Sequence, residues 1–133
     1  MASSNAHGPP ELCNVKGLHV ILVEDSWHAG VGLKNLLQAW DVNVAGPVAT
    51  TAEAENLIAE HVPDVAFVDL NLRGNERAYG LIDRLHEMGV CVIVTTGYSD
   101  VQVATGKVAA ILRKPISEAQ LIAALNRVCA GPR

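Results

Sequence analysis

Four short apolar runs each end in a polar residue able to do chemistry, and this pattern constrains the fold more than any other feature. His19-Val20-Ile21-Leu22-Val23 leads into Glu24-Asp25, and Val65-Ala66-Phe67-Val68 leads into Asp69. Cys91-Val92-Ile93-Val94-Thr95 leads into Thr96, and Ala109-Ala110-Ile111-Leu112-Arg113 leads into Lys114 and Pro115. Segments with helical spacing lie between the runs. That alternation predicts βα units and a parallel sheet. Near-continuous apolar runs suit strands covered on both faces. In open α/β sheets, ligands bind outside the carboxyl ends of the strands. The expected fold class is therefore α/β, doubly wound, with one anionic pocket facing a cation and a hydroxyl.

The 133 residues fit one domain, and half are apolar, so a core can form without metal support. Net charge is −4 and no Lys/Arg cluster appears, which argues against nucleic acid as a partner. The apolar runs fall far short of the roughly 20 residues needed to cross a membrane. Residues 1–16 read as a disordered leader without the features of a secretory signal, and residues 17–133 as the folded domain. Cys13, Cys91 and Cys129 show no zinc spacing. They read as free thiols in a reducing cytoplasm, the expected location.

Ser26 is placed to cap a first helix reaching about Trp40, with Ala29, Leu33, Leu36, Leu37 and Trp40 on its inner face. Val42-Asn43-Val44-Ala45 alternates as an edge strand that Gly46-Pro47 should limit. Thr50 to Glu53 reads as a capping box, with Ala54, Leu57 and Ile58 facing inward. A third helix is expected from about Glu76 to Met88, with Leu81, Leu85 and Met88 together on its inner face, stopped by Gly89. Residues 99–107 are poor in helix formers, so the fourth helix should be shortened or mobile. Ser117 to Gln120 is a second capping box, opening a last helix with Leu121, Leu125 and Val128 inward.

Clustered carboxylates repel one another unless a cation neutralises them. An all-oxygen set with room for water suits Mg2+. Glu24 and Asp25 are expected to hold that ion beside Asp69, with a backbone oxygen from Asn71. Asp69 is then the nucleophile for a phosphoryl group, giving an aspartyl phosphate. Lys114 pairs with one phosphoryl oxygen, the Thr96 hydroxyl donates to another, and Gly97 leaves the approach open. Thr96 is preferred to Thr95 because it directly precedes Gly97.

Val23-Glu24-Asp25, Val68-Asp69-Leu70-Asn71-Leu72, Thr95-Thr96-Gly97-Tyr98 and Arg113-Lys114-Pro115 together resemble the receiver domain of two-component response regulators. The resemblance spans roughly residues 18–130. It implies a five-stranded sheet of order 2-1-3-4-5. It also implies a histidine kinase or histidine phosphotransfer protein as phosphodonor, Asp69 as phosphoacceptor and Asp25 as the more direct metal ligand of the acid pair. The abbreviated stretch from Thr96 to Asp100 resembles stand-alone receivers. Two departures stand out. Ile111 occupies the position where the family carries an aromatic switch residue, and the reduced fourth helix weakens the family's usual output face.

The expected function is a single-domain response regulator of a phosphorelay. It would be a binding module without a separate substrate, acting on an output protein the sequence does not name. A constitutive adaptor with a vestigial pocket is the first alternative. An aspartate-nucleophile phosphatase is the second, opposed by Asn71 where such enzymes place an acid. A flavin module is disfavoured because Glu24-Asp25 would repel phosphate. Each residue also has a plainer reading. The acid pair would suit the first turn of a helix, Trp40 the core, Trp27 packing or a partner site, and His28, His61 and His86 the surface.

Overall fold

A computed structural model describes residues 11–72, 76–97 and 105–130. The elements in chain order are β1 (His19–Val23), α1 (Trp27–Ala39), β2 (Asn43–Val48), α2 (Thr51–Glu60) and β3 (Val65–Asp69). Next come the two-residue strands β4 (Asn71–Leu72) and β5 (Glu76–Arg77), then α3 (Tyr79–Glu87) and β6 (Cys91–Thr96). A 3-10 turn (Thr105–Lys107), β7 (Ala110–Arg113) and α4 (Glu118–Ala130) complete the order.

Five strands form one parallel sheet in the order β2-β1-β3-β6-β7. Counted along the chain, these five strands follow the order 2-1-3-4-5. The side chains alternate as strand geometry requires. Ile21, Val23, Ala66, Val68, Val92 and Val94 join the cluster containing Ala54 and Ile58 of α2 and Leu81, Ile82 and Leu85 of α3. Val20, Leu22, Val65, Phe67 and Ile93 join the cluster containing Leu37 of α1 and Leu121 and Leu125 of α4. The central strand β3 is buried at every position, including Asp69. Among the described residues no helix is long and apolar enough to cross a membrane.

Both capping boxes form. The Glu53 amide donates to Thr50 Oγ1 at 3.1 Å, and Glu53 Oε1 accepts from the Ala49 amide at 3.0 Å. The Gln120 amide donates to Ser117 Oγ at 3.1 Å, and Ser117's amide donates back to Gln120 Oε1 at 2.8 Å. Each box satisfies backbone N–H groups that a helix start leaves without partners.

Several local expectations are corrected. Cys13 and Cys129 form a disulfide rather than two free thiols, and only Cys91 stays free. Residues 11–16, placed in the expected leader, are held against the domain. Val15 is buried, the Cys13 amide donates to Asn126 Oδ1, and Asn126 Nδ2 donates to the Glu11 carbonyl. Residues 1–10 lie outside the described residues.

The third helix begins at Tyr79, not near Glu76, because residues 71–72 and 76–77 pair as a small antiparallel ribbon. Met88, expected on the inner face of that helix, is exposed. In α1 the buried residues are Gly30 and Leu37, while Leu33, Leu36 and Trp40 are half-buried and Ala29 is exposed. Strand β2 passes through Gly46-Pro47 to Val48 instead of ending there. Of the expected fourth helix over residues 99–107, residues 99–104 lie outside the described residues. The 3-10 turn (Thr105–Lys107) follows them.

Candidate functional site

Parallel pairing sets the site. Strands β1 and β3 run in register from Val20↔Val65 to Val23↔Val68, so Glu24-Asp25 and Asp69 emerge side by side. Glu24, Asp25 and Asp69 offer carboxylate oxygens that all lie within 4.8 Å of one another. Asp69 is buried and the other two are half-buried. Strand β6 adds Thr95 opposite Asp69 and Thr96 one step further along. Strand β7 brings Lys114, whose amide donates to the Thr96 carbonyl at 2.8 Å.

The polar groups are held from several sides. Lys114 Nζ lies 2.7 Å from Glu24 Oε1 and 3.1 Å from Asp69 Oδ2. The second oxygen of Glu24 accepts from the Ser26 amide at 3.0 Å. Asp69 Oδ1 accepts from the Asn71 amide at 3.1 Å. Thr96 is fully buried and Thr95 nearly so. Among the described residues, a Cβ added at Gly97 would meet nothing within 4 Å.

Burial, and then the neighbouring charge of Glu24, push the Asp69 carboxyl up to about 6, against the opposing pull of Lys114. Burial disfavours the charge on Lys114. Its hydrogen bond to Glu24 and the charge of Asp69 outweigh that, so its ammonium is held more firmly than usual. The pocket therefore carries more negative charge than one ammonium relieves, which is the electrostatic demand a cation meets. Three carboxylates with oxygen donors alone fit a hard divalent ion of the Mg2+ type. Asn71 sits at the start of β4, with its amide turned to Asp69.

The structure thus gathers Glu24, Asp25, Asp69, Asn71, Thr96 and Lys114 around one rim. What the sequence did not reveal is the bond between Glu24 and Lys114, which gives Glu24 a second partner. Nor did it reveal the groove of about 370 Å³ that opens from Glu24 and Lys114 between α1 and α4, lined by Leu33, Leu36, Phe67 and Leu121 among others. The incomplete burial of Leu33 and Leu36 is its visible trace. Trp27 is 68% exposed at the start of α1, two residues beyond Asp25. Ile111 is exposed on the edge strand β7.

Comparison with known proteins agrees with this fold. The family model for the response regulator receiver domain matches residues 20–126. No curated protein sequence matches the chain. Among solved structures, a CheY-like response regulator receiver domain from Methylobacillus flagellatus is similar, with TM-score 0.74 and 23% identity over 85% of this chain and 99% of that one. The receiver domain of the PhyR response regulator from Erythrobacter litoralis gives TM-score 0.74 and 20% identity over 89% and 96%. SdrG from Sphingomonas melonis Fr1 gives TM-score 0.73 and 25% identity over 89% and 100%.

Proposed function

The chain belongs to the response regulator receiver domain family, and from that premise we propose that it accepts a phosphoryl group on Asp69 and uses the modification to switch its binding to another protein. The observation that carries this reading is the position of Asp69. It is buried at the end of a fully buried strand, with one oxygen on Lys114 and the other on the Asn71 amide.

The donor is a phosphohistidine on a histidine kinase or phosphotransfer protein. An Asp69 carboxylate oxygen forms the new O–P bond as the P–N bond to the donor imidazole breaks. The imidazole leaves with the electron pair and is protonated. Lys114 places positive charge beside the transferring oxygens, and Thr96 donates its hydroxyl to a phosphoryl oxygen. Glu24 and Asp25, with Asp69 and the Asn71 carbonyl, would hold Mg2+, which supplies neutralisation of the phosphoryl charge when bound. Turnover is confined to the domain's own acyl phosphate, so there is no separate substrate.

Once Asp69 carries the phosphoryl group, Thr96 and the backbone it shares with Lys114 have a new anion to satisfy. The loop after β6 responds, and a partner that binds the two states unequally reads the change. Ile111 is aliphatic, so no aromatic rotamer on β7 carries this signal.

The test is intact mass after incubation with Mg2+ and a small phosphodonor. Wild type should gain one phosphoryl group, and Asp69→Asn or added chelator should abolish the gain. A wild-type protein that binds Mg2+ yet gains nothing would overturn phosphoacceptance.

A further inference from the structure

Glycine weakens a helix interior relative to alanine, yet α1 buries one at Gly30. The reason lies outside the helix. A Cβ at residue 30 would stand 2.7 Å from Pro47 Cβ and 2.8 Å from Pro47 Cγ, closer than non-bonded carbons tolerate, and 3.6 Å from Glu24 Cγ. The proline ring therefore sits in the space a side chain on α1 would fill. The other neighbour of that space is the aliphatic stem of Glu24, a site carboxylate.

The way Pro47 reaches that space is also built. The β1–β2 register runs Ile21↔Ala45 and then Val23↔Val48, so β2 carries one extra residue opposite Leu22. A bulge of this kind is where a sheet accommodates proline, which has no N–H to give the ladder. Gly46 makes the bulge possible. Its φ is +98°, and a Cβ there would stand 2.6 Å from the Leu22 carbonyl oxygen. Immediately after the ring, the Val48 carbonyl accepts the Glu24 amide at 2.8 Å. The segment at 46–48 thus fixes Glu24 through its backbone, while Gly30 lets the ring close against α1.

We infer that Gly30 and Pro47 act together as a positioning wedge for Glu24, setting where its carboxylate stands for Lys114 and for a divalent ion. Neither residue offers a ligand atom. Both act through Glu24, so they are positioning residues and not catalytic ones. A methyl group at residue 30 pushes the ring outward. The ring carries Val48 with it, and the Glu24 amide loses its anchor. This inference rests on the metal-binding reading of the acid pocket.

The experiment is an Mg2+ titration of 15N-labelled protein, followed at the amides of Glu24 and Asp25 and independent of phosphorylation. Groups that orient a ligand typically change metal affinity by 10–100-fold, so Gly30→Ala should raise the dissociation constant about tenfold with amide dispersion intact. Gly32→Ala is the control. It makes the same change on the same helix, where an added Cβ meets nothing within 4 Å among the described residues, and it should leave the affinity unchanged. Gly30→Ala/Pro47→Gly removes both the Cβ and the Cγ that the new methyl would meet, and it should recover most of the lost affinity.

Wild-type affinity in Gly30→Ala, an equal loss in Gly32→Ala, or no recovery in the double variant each overturns the wedge. Should Gly30→Ala fail to fold, Pro47→Ala alone decides the matter. It should weaken Mg2+ binding by releasing Glu24, and unchanged affinity rejects the inference. A wild-type protein whose Glu24 and Asp25 amides ignore Mg2+ removes the metal reading itself, and the wedge with it.

Discussion

Lys114 bridges Glu24 and Asp69, with its ammonium 2.7 Å from one carboxylate and 3.1 Å from the other. A single cation thus ties the end of β1 to the end of β3 from the far side of the sheet. Breaking such a partly buried arrangement by removing one partner leaves an uncompensated charge. Lys114→Met should therefore destabilise the metal-free protein by on the order of 2–4 kcal/mol in urea unfolding. Added Mg2+ should restore part of the loss by supplying the missing positive charge. An Mg2+ response no larger than that of wild type would count against this account.

Asp69 sets a pH dependence of unusual sign. Its carboxyl is raised from 3.8 to about 6 in the native state. Between roughly pH 4 and pH 6 the native protein therefore binds more protons than the unfolded chain, and stability falls as pH rises through that window. Asp69→Asn removes the cost. In chelator, the variant should melt above wild type at pH 7 and lose that advantage by pH 4. Calorimetry at the two pH values checks the crossover.

The Cys13–Cys129 bond closes a loop of 116 residues, almost the whole domain. Disulfides that close long loops restrict the unfolded chain most, and removing a native one typically costs about 2–5 kcal/mol. Cys129→Ser should lower the unfolding free energy obtained from urea melts by an amount in that range. Reducing agent should do the same to wild type and nothing further to the variant. Free-thiol titration under denaturing conditions gives a second measure, with one reactive cysteine expected before reduction and three after.

Thr50 caps α2 through its hydroxyl, while Glu53 returns a carboxylate to the Ala49 amide. Losing a cap of this kind costs about 1 kcal/mol. Thr50→Ala should show that loss in denaturant melts, and Thr50→Ser should recover most of it. Neither change should alter Mg2+ binding at the rim.

Legibility in the sequence followed the range of the interactions. Strands β1, β3 and β6 were readable because each is buried on both faces, and burial writes itself as an unbroken apolar run. The capping boxes at Thr50 and Ser117 were readable because both partners lie three residues apart. Asp69 and Lys114 stood out because a charge directly after a buried strand needs a reason. The disulfide was not readable, since its partners are 116 residues apart and no spacing rule joins them. The β4–β5 ribbon is too short for a two-residue period to register, so helix propensity claimed its second strand. Pro47 looked like a strand terminator because sequence shows the missing N–H but not the bulge that accommodates it. The bond from Glu24 to Lys114 depends on where two side chains end after the sheet has formed, and local pattern holds no record of that.

The tie between residues 13 and 129 also settles how this molecule can be handled. Glu11 and Asn126 are hydrogen-bonded neighbours, so the described ends of the polypeptide meet at one pole. Nearby chain ends are what circular permutation requires. A short linker from residue 130 to residue 11, with new termini cut elsewhere on the surface, should preserve the sheet. A fluorophore or affinity handle carried at that pole would leave the opposite rim, with Asp69 at its centre, free for whatever approaches it.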